Sequence, residues 1–489
     1  MTVMPRTVDK ARSAEKQAEL ISETLAGFAH DLTPAAIPAE VRERAKHLIL
    51  DATGIALASG RYDFAHKAAT AISGLGGTGE VPVIGLLLRL PPRDAALLNG
   101  ILVHGLDFDD THSGGIIHAT ASIWPTVLAT AHMRGASGAD LITAYIAGVE
   151  CATRLAAVGS GPFHQIGFHP TGLIGVFGCT LAAGTLMGLS PRALVMAQGI
   201  ALSMASGSLE FLEDGAWTKR MHPGWAAQSG ITAAALARQG FVGPSRAYEG
   251  RFGLFNAYIQ AGIEAERWGR ATAGLGEVWE TMAVAVKPLP ACHFTHACAD
   301  AAIALLDKHK FAIADIERIK ALVPAEVVKT VCEPVANKRR PANAYDAQFS
   351  IPYLVAASLV RGRFGLAELE PDALADETIL GLCDLVDYAV DARSTFPRHY
   401  TGEVQIALKD GRTLVHREAM NRGCADRPLS NAEIAEKFAG NARLSLSSRQ
   451  ADEVRDAVLG LDAATEARSA IDRICQATPA LTWGWRPPS

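Results

Sequence analysis

Apolar residues recur at helical spacing through most of the first 285 positions. Val41, Ala45, Leu48, Ile49 and Ala52 fall on one stripe after Pro38 and predict a helix over 41–58. Pro91-Pro92 stands ahead of an apolar run and predicts a helix over 93–103 with proline in its first turn. Leu141, Tyr145, Val149 and Ala152 predict another over 139–155, and the alanine-rich stretch 231–238 a further one. The many small residues let helices approach closely, as a compact bundle needs.

The pattern changes after about 285. Residues 316–323 alternate in part and stop at Pro324, as a strand does. Residues 403–408 and 413–416 flank Lys409-Asp410-Gly411-Arg412 and read as a hairpin around an Asp-Gly turn. Between these, 349–360 and 376–386 read as helices. Helix returns at the end, where Ser430 and Glu433 form a capping-box pattern before 434–438, and 448–459 is amphipathic. The expected fold is mainly α. A large all-helical domain is built from both chain ends (1–285 and 421–489), and a smaller α+β lid domain (286–420) is inserted in it.

With 489 residues, of which 49% are hydrophobic, the chain can bury a sizeable core. A net charge of −5 argues against a nucleic-acid footprint, which shows as a basic excess. The uncharged run 172–189 is long enough to raise a membrane question. Its glycines and threonines, with no aromatic belt, read instead as helix buried in a protein core, and 193–209 reads alike; no membrane partner is expected. The eight cysteines form no C-x-x-C pair and read as reduced, cytoplasmic thiols. Residues 1–17 contain no apolar stretch of the secretory type.

Acid/base chemistry concentrates in HGLDFDDTH, which holds His104, Asp107, Asp109, Asp110, Thr111 and His112, with His118 following. Three readings compete: a divalent-metal site, an acid/base site acting on a carbon acid, and capping or surface polarity. GFHPTG puts His169 at the mouth of the next apolar helix, with Thr171 as an N-cap and His169 a plain loop residue as the bland alternative. In EDGAWTKRMHPGW, Lys219, Arg220 and His222 lie between two tryptophans and suit a carboxylate ligand, unless Glu213 and Asp214 pair with them. KPLPACHFTH, at the junction of the two domains, carries Lys287, Cys292, His293 and His296, and junctions favour ligand clefts. Lys338-Arg339-Arg340 is a short basic run, either solvated or a carboxylate clamp from the lid.

Taken together, the chain resembles the MmgE/PrpD family of 2-methylcitrate dehydratases, cis-aconitate decarboxylases and iminodisuccinate epimerases. The resemblance rests on AKHLILDATGIALA (45–58), HGLDFDDTH with His118, FHPTG (168–172), DGAWTKRMHPGWAAQSG (214–230), KPLPACHFTH (287–296) and YDAQFSIPYLVA (345–356). It implies a helical domain with an α+β lid, a homodimer, and no metal or organic cofactor. It also implies active-site roles for Asp107, Thr111, His118, His169, Lys219 and Lys287. At Cys292 the decarboxylase branch carries a histidine.

The expected activity is therefore cofactor-free dehydration of a citrate-like polycarboxylate. The catalytic residues would be His118, His169 and Asp107; Thr111, Lys219, Arg220, His222, Lys287, Cys292 and His296 would bind substrate. Decarboxylation or epimerisation on the same fold is the alternative. A metal-dependent hydrolase would instead use His104, Asp107, Asp110 and His112, and a non-catalytic binder would keep only the cations. A neutral histidine base near its ordinary pKa predicts activity falling below about pH 6.5.

Overall fold

The computed structural model describes residues 20–476, so the reading of 1–17 lies outside the described residues. The fold is mainly α, with small sheets. The predicted helices are present as Ala39–Ser59, Pro92–His104, Gly138–Val158, Ile351–Arg361 and Ser448–Leu459. The helix Asn431–Ala442 carries the predicted capping box, with Ser430 and Glu433 satisfying each other's backbone N–H groups. The run 172–189 divides into Pro170–Leu173 and Gly175–Leu186, both buried. Among the described residues, Gly138–Val158 is the helix long and apolar enough to cross a membrane, and 94% of that apolar window is buried inside the fold.

Two elements differ from expectation. The helix expected at 231–238 begins thirteen residues earlier, as Thr218–Arg238, with Pro223 inside it. A short strand, Val386–Val390, follows the helix expected at 376–386, which ends at Asp384. That strand pairs in parallel with Ile316–Val323, about seventy residues back. Ile316–Val323 also pairs antiparallel with Gly402–Leu408, which pairs with Thr413–Glu418 across the predicted Asp-Gly turn.

Apolar side chains form two clusters. The larger runs from Leu25 to Val286 and resumes from Leu429 to Cys475, drawing on both ends of the described chain. The smaller is built from Leu289 to Leu414, joined by Phe211. The helices Pro92–His104 and Thr218–Arg238 cross at Gly100 and Gly224. A Cβ on Gly100 would lie 2.4 Å from the Gly224 Cα, so only glycine permits that approach. The crossing sets the first turn of the second helix beside the end of the first, where the acidic loop 105–110 begins. The helix Asn431–Ala442 packs on Ala39–Ser59 and closes that loop from behind.

Candidate active site

A cavity of about 980 Å³ opens between the two apolar cores. Its inner wall is formed by Asp107, Thr111, His118, His169, Lys219, Lys287, Cys292 and Tyr400. These come from the 105–118 segment, the start of Pro170–Leu173, the first turn of Thr218–Arg238, the stretch before His293–His309 and, for Tyr400, the segment ahead of the strand Gly402–Leu408.

Asp107 is the electrostatic centre. Lys219 donates to its carboxylate, and Lys287 donates to the same oxygen at 3.1 Å and to the Asp107 main-chain oxygen at 2.9 Å. All three side chains are buried. Burial alone would raise the Asp107 pKa; the two ammonium groups overcome it and hold the carboxyl well below its usual range. Lys287 is raised: burial opposes its charge, and Asp107, Asp109 and Cys292 together outweigh burial. Two cations against one carboxylate leave this cluster with one formal positive charge.

Two residues on the cavity wall have backbone in the left-handed region, Asp107 at φ 49° and Ile116 at φ 50°. For a β-branched residue this is a genuine outlier, costing about 1–3 kcal/mol. Asp107 precedes and Ile116 lies within the Thr111–His118 segment that presents the histidine, which is where such strain is expected to collect.

His118 Nδ1 lies 2.7 Å from the Asp110 main-chain oxygen. A carbonyl can only accept, so Nδ1 carries the proton and Nε2 keeps its lone pair. Burial lowers the His118 pKa well below 6.5, with Asp109 opposing and the two lysines assisting. Thr111 lies 3.3 Å from His118 Nδ1, and Thr171 accepts the His118 backbone N–H at 3.1 Å. Thr171 is therefore no N-cap; His169 occupies that position ahead of Pro170. The His169 N–H donates to Gly207 O at 2.9 Å. Its ring Nδ1 meets His222 Nδ1 at 3.0 Å, and burial, with His222 and Lys219, lowers its pKa well below 6.5.

Arg220, His222 and His296, expected to contact substrate, do not line the cavity. Arg220 turns away from Lys219, donates to Gly105 O at 2.7 Å and lies over the rings of Phe64 and Tyr345. His222, one turn past Lys219, backs His169. Its pKa is pushed down to about 4 by burial. His296 bonds Ala291 O at 3.1 Å, one helical turn below His293, which lines the cavity in its place. Cys292 lines the cavity as a buried thiol whose pKa burial pushes up to about 11. Nothing there activates it as a nucleophile.

The hydrolase ligand set does not converge. Asp107 is held by two lysines, and His112 pairs with Glu280 at 2.9 Å on the side facing a separate cavity. Asp110 is buried, with its pKa raised to about 7 by burial and by Asp109 and Asp51. The potential metal-ligand grouping among the described residues is a different one. His104, His118 and His169 each place one ligating atom within 4.8 Å of the others. His104 is bound through Nδ1 to Asp109 Oδ2 at 2.7 Å, and its Nε2 has no hydrogen-bond partner.

Sequence reasoning missed His164 and Tyr400 on the cavity wall. His164 lies in a short helix turn with no local motif, and Tyr400 arrives from the smaller core far along the chain. It also missed Lys437, which reaches from Asn431–Ala442 to Asp51 at 2.7 Å and to Phe108 O at 2.8 Å.

The MmgE/PrpD N-terminal domain matches residues 23–265, and the MmgE/PrpD C-terminal domain matches residues 289–463. The human cis-aconitate decarboxylase is 30% identical over 442 residues, covering 87% of this chain and 89% of that protein. The cis-aconitate decarboxylase-like protein oryM of Aspergillus oryzae is 28% identical, covering 91% of this chain and 95% of its own. A cis-aconitate decarboxylase of Aspergillus terreus is 26% identical, covering 93% and 96%. The chain belongs to the MmgE/PrpD family.

Proposed function

We propose that this protein is a lyase acting on a small polycarboxylate by acid/base catalysis, with dehydration of a citrate-like acid as its reaction. The observation that carries this reading is the His118 tautomer. With Nδ1–H given to the Asp110 carbonyl, Nε2 is an unprotonated base on a cavity wall shared with the net-positive Asp107, Lys219 and Lys287 cluster. His118 Nε2 removes a proton from the carbon beside a substrate carboxylate. The electron pair of that C–H bond forms the C=C bond as the neighbouring C–O bond breaks. The hydroxide leaves as water with the proton that His118 Nε2 has just gained, relayed through the neutral His169 ring. Lys219 and Lys287 meet the negative charge that builds on the carboxylate. This is the role a Lewis acid fills elsewhere, so the reading requires no cofactor. Thr111 and Tyr400 supply further hydrogen-bond donors.

Decarboxylation of an unsaturated tricarboxylate is the second reading. It is favoured by the names of the three relatives above, all cis-aconitate decarboxylases or proteins named as like one. The reading further takes the protein as a cytoplasmic homodimer; light scattering of the pure protein tests the dimer, and fractionation of the cells that make it tests the location.

Proton NMR in D₂O of EDTA-treated enzyme, supplied separately with 2-methylcitrate, citrate, cis-aconitate and iminodisuccinate, separates the reactions. A vinylic signal growing from a citrate substrate supports dehydration. Itaconate from cis-aconitate moves the reaction to decarboxylation, and α-deuteration with an unchanged skeleton to epimerisation. Silence on all four acids, with activity on another restored by a divalent metal, overturns the proposal.

A further inference from the structure

His104, the last residue of the helix Pro92–His104, is 1% exposed and does not line the cavity, so it stands behind the wall that substrate meets. Its Nδ1 lies 2.7 Å from Asp109 Oδ2. A carboxylate accepts, so Nδ1 carries the proton and Nε2 holds a lone pair. That Nε2 is buried and has no hydrogen-bond partner. Native proteins satisfy nearly all buried polar groups, and an exception beside a catalytic base calls for a functional explanation.

His104 is also the middle member of a row of histidines. Its ring centre lies 4.9 Å from that of His118 and 5.6 Å from that of His169, whereas His118 and His169 are 5.9 Å apart. One ring nitrogen of each lies within 4.8 Å of the others. Proton transfer over such a gap runs through one bridging water.

The middle ring is the best placed of the three to carry a positive charge for a moment. Asp109 Oδ2 is 2.7 Å from His104 and 3.5 Å from His118. Burial would raise the Asp109 carboxyl; His104 and His118 outweigh it and hold the group below its ordinary range, hence ionised. The C-terminal end of a helix, with its free carbonyls, favours a cation at His104 as well. His169 has neither advantage, because its ring Nδ1 faces another imidazole, His222, at 3.0 Å. At rest burial lowers the His104 pKa, with Asp109 opposing, so the ring is neutral and open to a proton.

We infer that His104 is a proton-relay residue, taking on Nε2 the proton that His118 Nε2 removes from carbon and passing it to His169, with Asp109 as counter-ion of the transient imidazolium. The relay rests on the acid/base reading above and deepens it. The proton balance closes: the C–H proton moves from His118 to His104 to the His169 ring and leaves in the water formed from the departing hydroxide. All three rings end neutral. His104 touches no reacting atom and acts through the other two histidines.

The test is His104→Gln in the full-length protein, on whichever of the four acids the parent enzyme consumes. The glutamine amide can still donate to Asp109 but cannot carry a proton onward. Proton transfer by a positioned side chain is worth about 10²–10⁴-fold, so kcat is expected to fall at least about 10²-fold. KM and the melting temperature are expected to stay near the parent values, because no contact to substrate is lost. In His104→Gly, imidazole added to the assay is expected to restore part of kcat. Pyrrole, of the same shape with no basic nitrogen, is expected to restore none. This comparison is read within one variant and decides the matter even where the glutamine variant melts early. Full activity in His104→Gln, or a rise in KM in place of the fall in kcat, overturns the relay. So does equal rescue by pyrrole, or rescue by neither; the lyase reading then stands. A parent enzyme that consumes none of the four acids overturns the lyase reading, and the relay with it.

Discussion

Lys287 grips Asp107 twice, at its carboxylate and at its own main-chain oxygen, across 180 positions of sequence. That double contact joins the stretch ahead of the smaller core to a loop of the larger one and holds Asp107 at its positive φ. A Lys287→Met variant keeps the length of the side chain and loses both donors. Loss of one preorganised donor to developing charge typically lowers kcat about 10²–10³-fold, and a similar loss is expected here. Asp107→Asn is expected to cost more in stability than Lys287→Met, because it leaves two buried ammonium groups without a counter-charge. Breaking a buried ion pair costs about 3–5 kcal/mol. Steady-state kinetics and urea melts of the two variants check the order. Equal stability loss in both would contradict Asp107 as the shared counter-ion.

The sequence alone placed the acid limb of activity near pH 6.5. The structure moves it lower. Burial lowers the His118 pKa well below that of free histidine, so Nε2 stays unprotonated through pH 6.5 in the free protein. The pH profile of kcat/KM reports groups of the free enzyme. It is expected to stay flat from pH 8 through 6.5 and to bend down only below that. An acid limb at or above 6.5 would mean that the catalytic base is not this histidine, or that it is far better solvated in solution.

Asp110 gives a stability prediction of definite sign. Its folded-state pKa is raised to about 7, mainly by burial, against 3.8 for an ordinary carboxyl. Above pH 7 the folded protein holds this group charged at a cost; below pH 7 it takes up a proton that the unfolded chain does not bind until about 3.8. The penalty is thus full above pH 7 and fades as pH falls toward 4. Asp110→Asn is expected to stabilise the protein above pH 7 by something on the order of 1–3 kcal/mol, and to lose that advantage on acidification. The His118 contact is to the main-chain oxygen of residue 110 and survives the change. Thermal melts at pH 8 and pH 5 check it; an equal effect at both would rule out the titration.

Local pattern carried the helices and the hairpin because their determinants are local. The stripe of 41–58, the prolines before 93 and the Ser430–Glu433 box each act within a turn or two. Thr218–Arg238 was read too short because Pro223 and the cations of its first turns look like a loop, whereas the close approach of Gly100 and Gly224 fixes that segment as helix. Val386–Val390 was missed because its parallel partner is remote. In the site, the residue types of Asp107, His118, His169, Lys219 and Lys287 stood in the motifs, and the family resemblance assigned their roles. What no local pattern held is their pairing. Lys219 reaches Asp107 over 112 positions, and other side chains of the same motifs, Arg220 and His296, turn elsewhere.

Lys437 tests whether the acidic loop must be held from behind. Its ammonium group bridges Asp51 and the Phe108 carbonyl and lies 3.9 Å from the centre of the Phe108 ring, one residue from Asp107. Lys437→Met leaves the buried Asp51 carboxylate unpaired, so a loss of about 3–5 kcal/mol is expected. The double variant Lys437→Met, Asp51→Leu removes both charges. Replacing a buried pair by apolar groups is often neutral, so most of that stability should return. The Phe108 carbonyl still lacks its donor, and the loop that sets Asp107 is free to shift. A misplacement on the order of 1 Å can cost about 10²-fold in rate. The double variant is therefore expected to melt near the parent protein while its kcat stays at least about tenfold down. Recovery of kcat together with stability would show that Lys437 only balances Asp51, and that the loop needs no support from the helix Asn431–Ala442.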